Sequence, residues 1–462
     1  MKKNKILVGL VLSLALGSCT EILSPKPIDI LADQFVLNEA KDVQTVRIGA
    51  YNAFRGMASP KVMIGDFTAD FIQHNGTFTD YQELGNKQIT AANGLAGALW
   101  GGVYSTVYVC NFLLEKLPTV PGVTEADRKL VTAEAKFLRG MAYFTGATTF
   151  GGIPNVTTTD VTTNRTVARA SKDEIMANAL KDIQESLTDL PEGSPTQGRA
   201  IFAGYATKNA ARAALARYYL YTRNWTQAEQ FASQVIATNR YDLVSYIDVV
   251  ARDFNPESIF EMGYTAADDP GTSNFGLNNI LVGRREVIPA NSYITLITNR
   301  ESGERSATVD IDFGKQGGGD NGWSVVKYGT PDEDNNNIVI FRLAEMYLIR
   351  AEARAQQANI TGAVSDLNVL RTRAGRNLTA AQRPPMVVAG TQSEILGVIE
   401  RERVYELSFE GHRWYDLVRT GRAQAVMSAF TPNWNQKYEL WPIPQTEIQR
   451  NSALAGQQNP GY

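Results

Sequence analysis

A mainly α-helical chain is predicted by three features of the sequence. Small and apolar residues recur at three- and four-residue spacing over long stretches. A Thr or Ser stands three residues ahead of an acid at two helix starts. Turn-forming Gly, Asn and Asp gather in one long excursion, residues 264–337, inside that helical pattern. The 462 residues suffice for one large domain or two to three ordinary ones, and 44% apolar with 20% charged residues is a globular composition. A chain this long buries enough surface to need no disulfide framework. Its formal net charge of −3 offers no basic face for a nucleic-acid partner.

The first eighteen residues read as a secretory leader. Lys2, Lys3 and Lys5 precede a short apolar run, Ile6 to Leu16, and small residues follow before Cys19. The run is shorter than the roughly 20 residues that span a bilayer. Cys19 directly after small residues resembles a bacterial lipobox, which would make it the lipidated first residue of the mature chain; ordinary cleavage with a free thiol is the alternative. Without the leader, 42 basic residues face 48 acidic ones, a charge near −6. Cys110, the other cysteine, lies in an apolar stretch and reads as a small buried hydrophobe.

Residues 19–38 read as an extended lead-in, since Pro25 and Pro27 block helix. The domain proper is expected over 39–462. Glu39 to Met57 is helix-like, and 58–92 reads as loop. A helix from Leu99 to Leu117 is expected to stop at Pro118. Thr124 with Asp127 opens a helix to about Thr145, and Ser171 with Glu174 opens another to Leu190. The Gly, Ser and Pro residues from Pro191 to Gly198 form a loop. A helical hairpin begins near Gly204. Ala210, Ala211, Ala213, Ala214 and Ala216 give one helix a small-residue face, Asn224-Trp225 makes the turn, and Ala228, Phe231, Ala232 and Val235 line the second helix. Ala216 and Ala228 stand 12 apart, the offset of two small positions in a tetratricopeptide repeat. Ala351 and Ala363 repeat the offset in a second hairpin. The excursion 264–337 suits turns and short strands, and Phe275, Tyr293, Trp323 and Tyr328 argue that it is ordered.

Several stretches together resemble one family. They are Glu134 to Phe144 followed by Phe150-Gly151-Gly152-Ile153-Pro154; Phe341 to Ala353; Leu367 to Gly375; and Glu400 to Leu407 running on through Phe409 to Gly421. Leu440-Trp441-Pro442-Ile443-Pro444 and Gln458-Asn459-Pro460-Gly461-Tyr462 close the chain. With the leader and Cys19, they are similar, in order and from end to end, to the SusD/RagB family of nutrient-binding lipoproteins. The resemblance implies a SusD-like scaffold of tetratricopeptide-type hairpins with a loop-rich ligand-binding excursion, trimmed here because the chain is short for the family. It implies a place on the outer membrane facing the cell exterior, held by lipid on Cys19. It implies partnership with a SusC-type TonB-dependent transporter, which receives oligosaccharides or, in some members, peptides.

Binding chemistry fits the residues better than catalysis. An aromatic ring covers the C–H face of a sugar, and Asn, Gln, Asp or Arg satisfy its hydroxyls. Two such clusters occur. The first holds Asp66, Phe67, Asp70, Phe71, His74, Asn75, Phe78 and Tyr81; the second holds Tyr293, Trp323 and Tyr328. From these, Asp70, His74, Asn75, Phe78, Tyr81, Tyr293, Trp323 and Tyr328 are the expected ligand contacts, with Phe67 and Phe71 inclining to core. Trp100, Trp414 and Trp441 also read as core.

A glycosidase would need two carboxylates roughly 5–10 Å apart. Glu400, Glu402, Glu406, Glu410 and Asp416 are candidates, yet they interleave with arginines and read as ion-paired. His74 and His412 are too far apart in sequence to suggest a metal site. Asp332, Asp334 and Asn336 imitate the start of a calcium loop, but Asn337 and Leu343 stand where its Gly and Glu belong. No catalytic residue, metal or cofactor is expected. The alternatives to glycan capture are peptide capture, a helical glycosidase, and a scaffold that docks proteins.

Overall fold

The computed structural model describes residues 37–193, 203–264, 276–329 and 336–462. The leader, Cys19, Phe275, Asp332, Asp334 and most of the 191–198 loop lie outside the described residues. Helix α1 runs from Ala40 to Phe67, ten residues beyond the expected end. It opens where the Asp42 carboxylate accepts from the Asn38 and Glu39 N–H groups, each at 3.0 Å. The helix continues through Pro60 because Val62, Met63, Ile64 and Phe67 are buried beyond it, in a helix packed on the next long one. Each large apolar side chain contributes about 1.5–3 kcal/mol on burial, so four of them outweigh the ~3 kcal/mol that proline costs inside a helix. The expected loop 58–92 therefore contains the end of α1, a strand β1 (Ile72–His74) and a helix α2 (Thr79–Asn86).

Side-chain caps set the next helices. Helix α3 (Gly94–Lys116) starts where Asn93 accepts from Leu95 N, five residues before expectation. The Thr124 hydroxyl accepts from Asp127 N at 3.1 Å to open α4 (Glu125–Phe150). That helix ends at Gly151, whose φ of 77° suits glycine. Ser171 accepts from Glu174 N at 3.2 Å to open α5 (Lys172–Ser186).

Both expected hairpins are present, and they turn alike. In the first, α6 (Lys208–Tyr221) leads through Arg223, at φ 58°, to Asn224, which caps α7 (Trp225–Ala237) by accepting from Gln227 N. The second pairs α8 (Leu343–Gln356) with α9 (Ile360–Ala374), through Ala358 at φ 62° and Asn359, which accepts from Gly362 N. Ala210, Ala211, Ala213, Ala216, Ala228, Ala351 and Ala363 are fully buried, so the helices approach closely. Helix α7 packs on α8 and joins the hairpins, with Arg354 Nε 2.8 Å from Glu229. This is a mainly helical fold consistent with a tetratricopeptide-type stack.

Between the hairpins, β2 (Ser258–Met262) pairs antiparallel with β6 (Ile338–Arg342), so the excursion leaves and returns on adjacent strands. It contains β3 (Val287–Pro289), a helix over Asn291–Ile297, β4 (Val309–Ile311) and β5 (Trp323–Val325). Helices α10 (Gln392–Leu407) and α11 (Arg413–Arg419) complete the part used below. Trp100, Trp414, Trp441 and Cys110 are buried; burial pushes the Cys110 thiol up to about 12.

Candidate ligand-binding face

The two aromatic clusters of the sequence meet on one side of the molecule. Strand β1 pairs antiparallel with β3, Gln73 opposite Ile288 and His74 opposite Val287. Strand β4 pairs with β5, placing Ile311 opposite Trp323, and β5 packs beside β3. Residues 72–78 and the β3–β5 part of the excursion thus form one unit. Gly317, Gly318 and Gly319, all at positive φ, carry the turn between β4 and β5.

Polar bonds weld the unit. The Asn75 and Gly76 N–H groups donate to Glu286 O at 2.9 and 3.1 Å. Asn75 Nδ2 donates to Arg285 O and to Asp320 Oδ2, both at 3.1 Å. Arg285 grips the same Asp320 with Nε at 3.1 Å and Nη2 at 2.5 Å. Burial opposes ionisation of Asp320, but Arg285 and the Gly322 N–H overcome it and hold the carboxyl below the usual range. The Glu286 carboxylate accepts from Thr77 N at 2.6 Å and Phe78 N at 2.8 Å, and from Arg284 Nε at 3.0 Å. The Arg284 guanidinium lies over the Phe78 ring, 4.1 Å from its centre. Asn321 Nδ2 bridges Pro289 O and Asn291 Oδ1, while its Oδ1 accepts from Trp323 N at 3.0 Å.

The expected contact residues separate into three groups. Phe78 and Trp323 are half-buried, packed against the core on one side. His74, on β1, is half-buried, and burial lowers its pKa. Asp70 and Asn75 hold the scaffold: Asp70 accepts from Arg413 Nε at 2.8 Å and Nη2 at 3.0 Å, and Asn75 makes the bonds above.

Tyr81, Tyr293 and Tyr328 correct the expectation, because they are core residues. Tyr81 is 1% exposed and reaches Met63 Sδ at 3.4 Å. Tyr293 is 2% exposed, between Phe71 and Phe409. The Tyr328 hydroxyl donates to Phe409 O at 2.6 Å. Their faces are filled by protein and have none left to offer a sugar. Asp66 and Phe67 lie inside α1, fully buried. The Asp66 carboxylate accepts from Gly411, His412 and Arg413 N, which opens α11. One exposed aromatic of the excursion was missed. Phe313 is 72% exposed, two positions beyond Ile311; its signal was an apolar residue amid Asp, Gly and Lys.

The motif acids are ion-paired, as their interleaving suggested. Arg342 reaches Glu257 and Glu406 at 2.6 Å each and Glu410 at 2.9 Å. Glu402 takes Arg305 at 2.6 Å and Arg371 at 2.8 Å. Glu406 also pairs with Arg373, Glu410 with Lys327, Asp416 with Arg403 and Arg419, and Glu400 with Arg413 and Arg422. Among the described residues, no group of three or more His, Cys, Asp or Glu is arranged to hold a metal, and no helix is long and apolar enough to cross a membrane.

Two family models match the chain. One, described as the SusD family, covers residues 320–462; the other, described as starch-binding associating with outer membrane, covers residues 28–220. The SusD-like protein P38 of Formosa agariphila is 25% identical over 96% of this chain and 97% of its own. The starch-binding protein SusD of Bacteroides thetaiotaomicron is 36% identical over 29% of this chain and 22% of its own. Among solved structures, a laminarin-binding SusD-like protein superposes with a TM-score of 0.76 at 24% identity, covering 92% of this chain and all of that one. The surface glycan-binding protein A of Bacteroides fluxus does so with 0.76 at 22%, over the same shares. At such identities the structures establish a shared fold.

Proposed function

The chain belongs to the SusD/RagB family, and on that premise we propose that it captures oligosaccharides at the cell surface and passes them, unhydrolysed, to a SusC-type TonB-dependent transporter. The observation that carries the reading is the joining of residues 72–78 to the β3–β5 segment by the β1–β3 ladder and the Asp320 and Glu286 bonds, two segments that leave Phe78, Trp323 and Phe313 partly or largely exposed. Flat half-exposed rings on a rigid frame suit the apolar side of a sugar. Gln73 on β1 and Asn291 just past β3 carry side-chain amides that suit hydroxyls. A frame already ordered by Asp320 and Glu286 adds little ordering cost on binding. Starch and laminarin in the names of two similar proteins favour the same ligand class.

In this reading residues 1–18 are removed as a leader, Cys19 carries the lipid, and residues 39–462 work as one domain at the outer membrane. One lipidated end tethers a soluble domain without threading it through the bilayer. Capture without catalysis is supported by the motif carboxylates, each held by an arginine or lysine. Peptides are the second ligand class, and titration against matched glycan and peptide panels separates the two. Glycan binding weakened by Trp323→Ala supports the proposal; binding of peptides alone would replace it.

A further inference from the structure

A cavity of about 300 Å³ is formed by three segments of chain: Trp100, Tyr104 and Tyr108 of α3, residues 154–165, and residues 447–454. The three aromatics stand four apart, so they fall on one stripe of the helix. Trp100 is 4% exposed, its ring centre 4.9 Å from that of Tyr104 and 5.2 Å from that of Phe150. Tyr104 is half-buried and Tyr108 is exposed. The stripe thus runs from core to surface and gives the cavity an aromatic wall. Val161, on the same cavity, is 56% exposed.

Polar bonds fix these segments in place. The Tyr104 hydroxyl donates to Pro154 O at 2.9 Å. Asn451 Nδ2 donates to Val167 O and Asn164 Nδ2 to Thr158 O, both at 2.8 Å. The walls are therefore preformed, and little ordering is left for a ligand to impose. The charges on the rim do not balance. Glu447 pairs with Arg450 at 3.0 Å. Arg165 is exposed, and among the described residues its side chain has no hydrogen bond or ion pair. Two guanidinium groups thus line the cavity with a single carboxylate, a local positive excess on a chain whose net charge is −3.

We propose that this cavity is a second sugar site, for a pyranose that bears a carboxylate, as a hexuronate does. Tyr104 and Tyr108 cover the apolar C–H side of the ring. Arg165 takes the carboxylate through the paired N–H groups of its planar guanidinium. Glu447 and Arg450 supply an acceptor and a donor for hydroxyls. The volume is at the lower end of the range for small-molecule sites. An uncharged sugar would leave Arg165 unanswered, and an acid without a ring would leave the aromatic wall uncovered. The site shares no residue with the aromatic face and does not depend on what that face binds.

The test is ligand-observed NMR titration of the full chain with D-glucuronate at matched ionic strength. D-glucose serves as the ring without the charge and L-glutamate as the acid without the ring. Three variants accompany it: Arg165→Gln, Tyr108→Ala and Trp323→Ala. Arg165 and Tyr108 are exposed, so their variants keep the fold. We expect D-glucuronate to bind, D-glucose and L-glutamate to bind at least about tenfold more weakly, and Arg165→Gln and Tyr108→Ala each to lose about tenfold in affinity, with Trp323→Ala unchanged. No binding of D-glucuronate, equal binding of either control, or binding that survives Arg165→Gln or Tyr108→Ala would overturn the proposal. So would a loss in Trp323→Ala, which would move the ligand to the aromatic face.

Discussion

Asn75 and Asp320 stand 245 residues apart in sequence and are joined by a side-chain hydrogen bond of 3.1 Å. Arg285 holds the same Asp320 from a third segment. One carboxylate thus ties three pieces of chain into a single face. Asp320→Ala releases Asn75 and Arg285 together while leaving the helical scaffold in place. We expect a glycan affinity about tenfold weaker, with far-ultraviolet circular dichroism unchanged. Unchanged affinity would mean that the welded face is not the binding surface.

Gly76 gives a second handle on the same frame. A Cβ there would sit 2.0 Å from Glu286 Oε2 and 2.7 Å from Glu286 Cα, so backbone as well as side chain must shift. Gly76→Ala is expected to displace the carboxylate that pins Thr77 and Phe78. Faster amide hydrogen exchange at 77–78, with α4 and α8 unaffected, is the outcome to look for.

The buried ion network governs acid stability. Burial pushes the Glu406 carboxyl up, but Arg373, Arg342 and Arg305 overcome this and hold it below the usual range. Arg342 and Lys327 do the same for Glu410. A depressed carboxyl pKa contributes stability above its unfolded value, about 4.3, and loses it as pH falls through the folded value. We expect stability to fall steeply below about pH 4. Arg342→Leu takes their shared cation from Glu257, Glu406 and Glu410, leaving Glu410 to Lys327 and Glu406 to Arg305 and Arg373, and removing one partner of a buried pair costs about 3–5 kcal/mol. Urea unfolding of the variant at pH 7 checks this; a loss under about 1 kcal/mol, the worth of a surface pair, would show that the acids find other partners.

Core tyrosines and face aromatics are expected to answer differently. Tyr328→Phe leaves Phe409 O without its donor, which costs on the order of 1–3 kcal/mol of stability, and glycan affinity stays as it was. Phe313→Ala removes an exposed ring and is expected to weaken glycan binding with stability unchanged. Thermal melts beside titrations separate the two, and an affinity loss in Tyr328→Phe would put that tyrosine back among the contacts.

The helical scaffold was legible because its signals are local. Thr124, Ser171 and Asn224 cap helices by bonds to residues three positions on, and the alanine faces repeat at fixed offsets. The extension of α1 past Pro60 was not, because what sustains it is the burial of Val62, Met63, Ile64 and Phe67, and the chain that covers its end, at Phe409 and Gly411, is distant in sequence. The face was half legible. Residue types picked out both clusters, yet Tyr81, Tyr293 and Tyr328 sit in polar sequence while their neighbours, Met63 and Phe409, come from far along the chain. Local polarity does not report such burial. Nor did it reveal that Asp70 is taken by Arg413, 343 residues away.

The most direct test is calorimetric titration of the chain without its first 19 residues against plant, host and microbial oligosaccharides, with Trp323→Ala alongside. The expectation is a micromolar-to-millimolar ligand whose binding Trp323→Ala abolishes or weakens by about tenfold, a loss of about 1.4 kcal/mol. A glycan that binds both proteins equally, or no binding across the whole panel, would contradict it.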